Sequence, residues 1–211
     1  MRENYNYSFE GNKDIENKGV ILFDIDNTLI DTKKLSFLAY TDIAEQTGLS
    51  LEKIIKIKNK YKSTLEKNTD FYPDDLINFL EKKTGQKIDN SFDKKDFYLE
   101  SLFEGTVDIL KKLQKTNKLG IYSEGFTDYQ TKKLEFSGII DFFDKDLIFI
   151  KRRKLDKDSL NEIPDGATVI DDNPKVIKKI RKIKRIKTVW FNKKISKGME
   201  EVETIMRLKI N

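Results

Sequence analysis

Residues 20 to 30 read VILFDIDNTLI, an apolar run that ends in two aspartates, Asp24 and Asp26, followed by Asn27 and Thr28. Val20 to Phe23 are continuously apolar rather than alternating, which suits a parallel strand buried on both faces, and Gly19 sets its start. In open α/β sheets ligands bind beyond the carboxyl ends of the strands, so this strand delivers Asp24 and Asp26 to where chemistry is usually done. Alternation along an extended chain sends Asp24 and Asp26 one way and Ile25 the other. Two like charges about 4 Å apart repel by roughly 4 kcal/mol at an effective dielectric near 20. A cation between them or a proton on one would relieve this. The alternative is that the aspartates cap a helix beginning near Thr32.

The remaining composition narrows the chemistry. With 211 residues the chain accommodates one domain with a sizeable insertion, or one domain plus a small second one. Only 37% of it is hydrophobic and 36% is charged, so the surface must be dense in Lys, Asp and Glu. No apolar run approaches the roughly 20 residues of a membrane span, and the start, MRENYNYSFEGNKD, lacks a signal peptide's apolar stretch. We therefore expect a soluble, cytoplasmic protein without a membrane partner. Cysteine and histidine are both absent. That excludes disulfides, thiolate sites, Ser-His-Asp triads and histidine bases, and leaves acid and base work to carboxylates, Lys or Tyr. Any metal must be held by oxygen, which favours a hard ion such as magnesium.

Downstream, helical spacing replaces the strand pattern. Leu35, Leu38, Ala39 and Ile43 share a face that Gly48 closes; Ser50 starts a second helix with Ile54, Ile57, Tyr61 and Leu65; Pro73 opens a third that Gly85 ends. A fourth apolar-periodic stretch runs near Phe92, Leu99, Leu102 and Phe103. Residues 31–103 thus read as an all-helical insertion, and residues 1–30 with 104–211 as the core around it. In that core a helix with Val107, Leu110 and Leu113 precedes a strand at Leu119 to Tyr122 and a loop at Ser123-Glu124-Gly125. A helix at Asp128 to Phe136 and a strand at Leu147 to Ile150 come next, then Lys151-Arg152-Arg153-Lys154 and a short helix. A strand at Ala167 to Ile170 ends in Asp171-Asp172-Asn173-Pro174, and a helix with Val176, Ile177, Ile180 and Ile183 leads to a strand at Thr188 to Phe191. A last helix is expected near Met199 to Leu208, and the polar residues 1–18 are expected to be a loose arm or a short added element. Strands alternating with helices imply a parallel, doubly wound, Rossmann-like sheet.

Three of these strands finish in small polar or acidic residues: Asp24 and Asp26, Ser123, and Asp171 with Asp172. Parallel strands gather them at one sheet edge, where four carboxylates call for a divalent cation, and a hydroxyl and an ammonium beside it suit phosphate oxygens. FDIDNTLI, IYSEG, a lysine ahead of a short helix, and VIDDNP, in this order, resemble the four signature motifs of the haloacid dehalogenase superfamily. The similarity spans about residues 19–210, and the helical insertion resembles that family's cap between the first and second motifs. The resemblance implies that Asp24 is a nucleophile forming an aspartyl-phosphate while also binding Mg2+. Asp26 would protonate the leaving oxygen, activate the hydrolytic water, and lend its carbonyl to the metal. Thr28 would support the loop, Ser123 would hold the phosphoryl oxygens, and Asp172 would complete the magnesium shell, with Asp171 as a supporting or alternative ligand. The acid at Asp26 favours a phosphatase or phosphotransferase over a true dehalogenase.

Two departures stand out. Glu124 occupies a place where relatives often carry Asn, and an acid there repels phosphate unless it turns away or meets a polar substrate group. The third-motif lysine is ambiguous: Lys154, ahead of the helical Asp156 to Leu160, is favoured over Lys151, which directly follows the strand. The expected function is magnesium-dependent hydrolysis of a small phosphorylated substrate. A phosphomutase, a non-catalytic phosphate-binding regulator and a nucleic-acid end phosphatase are the alternatives. For the last, the net charge of +5 and the basic run Lys175 to Lys187 are the only support, and the apolar face of that helix makes its lysines a solvated surface instead.

Overall fold

The computed structural model describes residues 19–65, 71–183 and 185–191. Its strands are β1 (Gly19–Phe23), β2 (Asn117–Glu124), β3 (Ile148–Lys151), β4 (Thr168–Asp171) and β5 (Lys187–Trp190). All neighbours pair in parallel, in the order β3-β2-β1-β4-β5. The chain therefore runs outward from β1 through β2 to β3, then returns to lay β4 on the other side of β1. The carboxyl end of β1 lies where the winding reverses, which opens a crevice there.

Both faces of β1 are covered, as its unbroken apolar run requires. Ile21 and Phe23 pack with Ile109 and Leu110 of α5 (Thr106–Leu113) and Leu134 of α6 (Thr127–Phe136). Leu22 faces the other way, toward Leu160 of α7 (Lys157–Asn161) and Val176 and Ile180 of α8 (Pro174–Ile180). Full burial of each such side chain is worth about 1.5–3 kcal/mol, so the strand carrying the aspartates is firmly fixed. On β2 the space a β-carbon would take at Gly120 is filled by the Leu147 carbonyl and the Leu22 side chain, so only glycine fits.

Between β1 and α5 come α1 (Thr32–Thr47), α2 (Leu51–Thr64), α3 (Pro73–Thr84) and α4 (Lys95–Glu100), with no strand among the described residues of this segment. Asp31, not Asp24 or Asp26, caps α1: its carboxylate accepts from the Lys33 and Lys34 N–H groups at 3.0 and 3.2 Å. Ser50 caps α2, and Gly48 and Gly85 close α1 and α3 in the left-handed conformation. These helices share a core of their own, built on Ile43, Ile54, Tyr61, Leu76, Leu80 and Phe92, which Tyr129 of α6 joins from below. The two connections run side by side. Asp31 N–H donates to Ser101 O (2.7 Å), Phe103 N–H to Leu29 O (3.1 Å), and Ile30 bridges Leu102.

Several boundaries differ from the periodicity. The fourth helix is only Lys95–Glu100, preceded by a 3-10 turn at Ser91–Asp93, because Leu102 is drawn into the bridge with Ile30. Ser123 and Glu124 belong to β2 rather than to a loop, since they pair with Ile150 and Lys151. α8 stops at Ile180, and Ile183 packs from the turn beyond it. The arm at residues 1–18 and the last helix expected near Met199 to Leu208 lie outside the described residues. Among the described residues no helix is long and apolar enough to cross a membrane.

Candidate active site

The carboxyl ends of β1, β2 and β4 bring Asp24, Ser123 and Asp171 together, and the loop after β3 adds Lys154. Asp24 is 4% exposed, and one of its oxygens is fully engaged: Oδ1 accepts from Ser123 Oγ at 3.0 Å and from Lys154 Nζ at 2.7 Å. Oδ2 accepts no hydrogen bond among the described residues. The same ammonium reaches Asp171 Oδ2 at 2.6 Å, so one buried lysine bridges two buried carboxylates. Burial pushes the Asp24 carboxyl up to about 6; Lys154 opposes the rise and the charges of Asp171 and Asp26 add to it. Burial also raises Asp171 against the pull of Lys154. For Lys154 burial works downward, but Asp24 and Asp171 outweigh it and hold the ammonium charged.

The lysine is set by its neighbours. Glu124 Oε2 accepts from the Lys154 backbone N–H at 2.8 Å, and the Tyr122 hydroxyl donates to the Lys154 carbonyl. Glu124 thus anchors the lysine loop through one of its carboxylate oxygens. Lys151 lies elsewhere: its Nζ pairs with Glu162 at 2.5 Å. Of the two candidate lysines only Lys154 reaches the site. Thr28, fully buried, accepts from the Asp172 N–H at 3.1 Å and so ties the β1 loop to the β4 loop. Asn173, rather than either aspartate, caps α8 through the Lys175 N–H, while Asp171 Oδ1 accepts from Asn173 N–H at 2.8 Å.

Asp26 departs from the four-carboxylate cluster expected at this edge. The strand ends at Phe23, and the following loop passes through Asn27 with a φ of 60° before returning at Ile30. The Asp26 carboxylate is thereby carried to α6, where Lys133 Nζ donates to Oδ1 and Oδ2 at 2.7 and 2.8 Å. Gln130 Nε2 donates to Oδ2 at 2.8 Å and Thr32 Oγ1 to Oδ1 at 2.9 Å. Burial alone would raise this carboxyl, but Lys133, Gln130 and Thr32 together hold it below its ordinary value. The Lys133 ammonium answers the charge of the Asp26 carboxylate. Among the described residues the carboxylates that could share a metal are Asp24, Asp171 and Asp172, whose oxygens lie within 4.8 Å of one another.

Lys133 and Gln130 escape a reading of motifs, yet α6 carries a signal. Its buried residues are Tyr129, Gln130, Lys133 and Leu134, so two polar side chains sit on the apolar stripe of an amphipathic helix. Lys133 is only 3% exposed, and a lysine so buried needs a partner.

A family model described as haloacid dehalogenase-like hydrolase matches residues 21–165, from β1 past Lys154 to the turn before β4. The chain belongs to this family. Its fold is also that of solved haloacid dehalogenase-type structures. YfnB of Bacillus subtilis, a candidate hydrolase of the family solved with magnesium bound, is 23% identical, with 91% of this chain and 100% of that chain covered at a TM-score of 0.62. A haloacid dehalogenase-like protein of Burkholderia xenovorans is 20% identical over 81% of this chain and 80% of its own, at 0.58. A candidate phosphatase of Clostridium difficile is 18% identical over 89% and 92%, at 0.53. No curated protein matches the chain. Within the haloacid dehalogenase-like hydrolases, the four motif positions of this chain fall at strand ends and loops of one crevice.

Proposed function

We propose that this haloacid dehalogenase-like hydrolase is a magnesium-dependent phosphatase that cleaves a phosphate monoester through an aspartyl-phosphate on Asp24. The observation that carries the reading is the asymmetry of that carboxylate, with Oδ1 pinned by Ser123 and Lys154 and Oδ2 left without a hydrogen bond. A free oxygen on a rigidly held side chain is what in-line attack on phosphorus needs. Oδ2 bonds to phosphorus as the ester oxygen leaves, and Asp26 gives that oxygen a proton. Water then attacks the phosphorus, Asp26 takes the proton from it, and the bond to Asp24 breaks to restore the carboxylate. The contacts with Lys133, Gln130 and Thr32 favour ionised Asp26, which suits the second step and opposes the first, so the proton given to the leaving oxygen is the one Asp26 takes from water in the preceding turnover.

Magnesium fits the donor set. Asp24, Asp171 and Asp172 offer only hard oxygens, and their shared charge exceeds what Lys154 alone can balance. Asp171 already uses Oδ1 for Asn173 and Oδ2 for Lys154, so Asp24 and Asp172 are the residues that would hold the ion. When bound, magnesium would draw negative charge from the phosphoryl oxygens. Lys154 and Ser123 stabilise the same oxygens from the protein side. The helical segment 31–103 acts as a cap over the crevice and keeps bulk water from the intermediate.

The test is hydrolysis of 4-nitrophenyl phosphate. Activity should require magnesium, vanish with EDTA, and fall by about 10⁴-fold or more in Asp24→Asn, whose amide cannot act as the nucleophile. Turnover that survives both chelation and this substitution would end the reading.

A further inference from the structure

Above Asp26 the crevice widens into a cavity of about 880 Å³ between α1, α2 and the loop that starts α6. Pockets of this size hold a whole metabolite-sized molecule rather than a phosphoryl group alone. The α2 helix contributes two adjacent strips. Ile54 and Tyr61 are buried in the core of the helical segment, while Ile55, Lys58 and Lys62, at i, i+3 and i+7, lie along the cavity. Lys53, Lys56 and Lys60 of the same helix do not line it.

Lys58 and Lys62 are one turn apart, so their ammonium groups repel each other. Neither has a carboxylate partner among the described residues; Lys58 Nζ donates to Asn59 Oδ1 at 2.9 Å and lies 5.7 Å from the centre of the Tyr40 ring. Among the described residues the cavity wall holds two carboxylates, and both are committed elsewhere: Asp26 to Lys133 and Glu124 to the Lys154 N–H. Burial and the charge of Lys62 push the Lys58 ammonium below its ordinary value. Beside Thr32 and Ser36 of α1, the wall carries the apolar side chains of Phe37, Ile55 and Phe71. Phe37 is 57% exposed, a large apolar surface left uncovered on a helix whose other face is well packed.

We propose that Lys58 and Lys62 bind a second anionic group, at the far end of a phosphate monoester whose middle is apolar and packs on Phe37 and Ile55. This rests on the phosphatase reading for which end of the ligand meets Asp24. An anion there removes the repulsion between the two ammonium groups and meets two donors at once. The apolar walls then hold the body of the substrate between the two charged ends.

The experiment compares aryl phosphates that carry, para to the ester, a carboxylate or a second phosphate on no, one, two or three methylenes. Each is measured against its neutral methyl-ester or hydroxyl analogue. The best anionic member should exceed its neutral analogue about tenfold or more in kcat/KM, and that ratio should fall to within about twofold in Lys58→Met/Lys62→Met. The charge-conserving Lys58→Arg/Lys62→Arg variant should keep most of the preference, and whether carboxylate or phosphate wins identifies the anion. A preference that survives in the methionine variant, or none in any member, overturns the proposal. If no aryl phosphate is turned over, the phosphatase reading fails, and calorimetry with the matching arylmethylphosphonates decides the proposal by itself. Tighter binding of the doubly anionic ligand that is lost in the methionine variant supports it, and equal binding refutes it.

Discussion

Replacing Lys154 by Met keeps most of the aliphatic stem and removes the charge that Asp24 and Asp171 share at 2.7 and 2.6 Å. Removing one partner from a buried ion pair costs about 3–5 kcal/mol, because the partner's charge is left uncompensated. Here two carboxylates, 4% and 0% exposed, are stranded together, so the loss at pH 7 should lie in that range. The sign of the pH dependence follows from burial. Asp24 already sits at about 6 with the lysine present, and without it both carboxyls must rise further above their unfolded value near 3.8. Groups raised in the folded state bind protons on folding, so their penalty is present at neutral pH and fades as pH falls through the folded values. Urea unfolding of the magnesium-free protein, followed by circular dichroism, should show the gap between wild type and variant narrowing by about 1 kcal/mol or more from pH 7 to pH 5. A loss below about 1 kcal/mol at pH 7, or an equal loss at both pH values, would refute the claim that Lys154 balances these two charges.

Lys133→Met should lower kcat by about 10²–10⁴-fold in 4-nitrophenyl phosphate hydrolysis, the usual worth of a positioned acid or base, because Asp26 loses the contact that orients it. A variant with unchanged kcat would show that the pair is structural only. Magnesium must displace the proton from Asp24, so its apparent affinity should be constant above about pH 6 and fall about tenfold per unit below it. Calorimetry in two buffers of different ionisation enthalpy should detect proton release at pH 5.5 and none at pH 8; equal release at both would contradict the raised carboxyl.

The core fold was legible because its signals are local. The unbroken Val20 to Phe23 run requires two covered faces, and the strand ends at Asp24, Ser123 and Asp171 follow directly from parallel packing. Lys154 over Lys151 was decided by contacts the sequence does not encode, namely Glu124 and Tyr122 gripping the backbone of Lys154 while Glu162 takes Lys151. Asp26 was misjudged in one respect. Strand alternation placed it beside Asp24, but the loop through Asn27 ends the extended geometry and swings the carboxylate to Lys133. That partner lies 107 residues downstream and differs from its neighbour Lys132 only in which side of α6 it occupies. Nothing short of the helix face could have told the two lysines apart.

The central claim is that Asp24 becomes covalently phosphorylated. Acid quenching of a turnover mixture, reduction with borohydride and mass spectrometry of the peptide containing residues 19–33 test it directly, since an acyl phosphate is reduced to the alcohol. Homoserine should replace Asp24, dependent on substrate and magnesium. An unmodified Asp24 under conditions of full turnover, or a reduced residue at any other position, would contradict it.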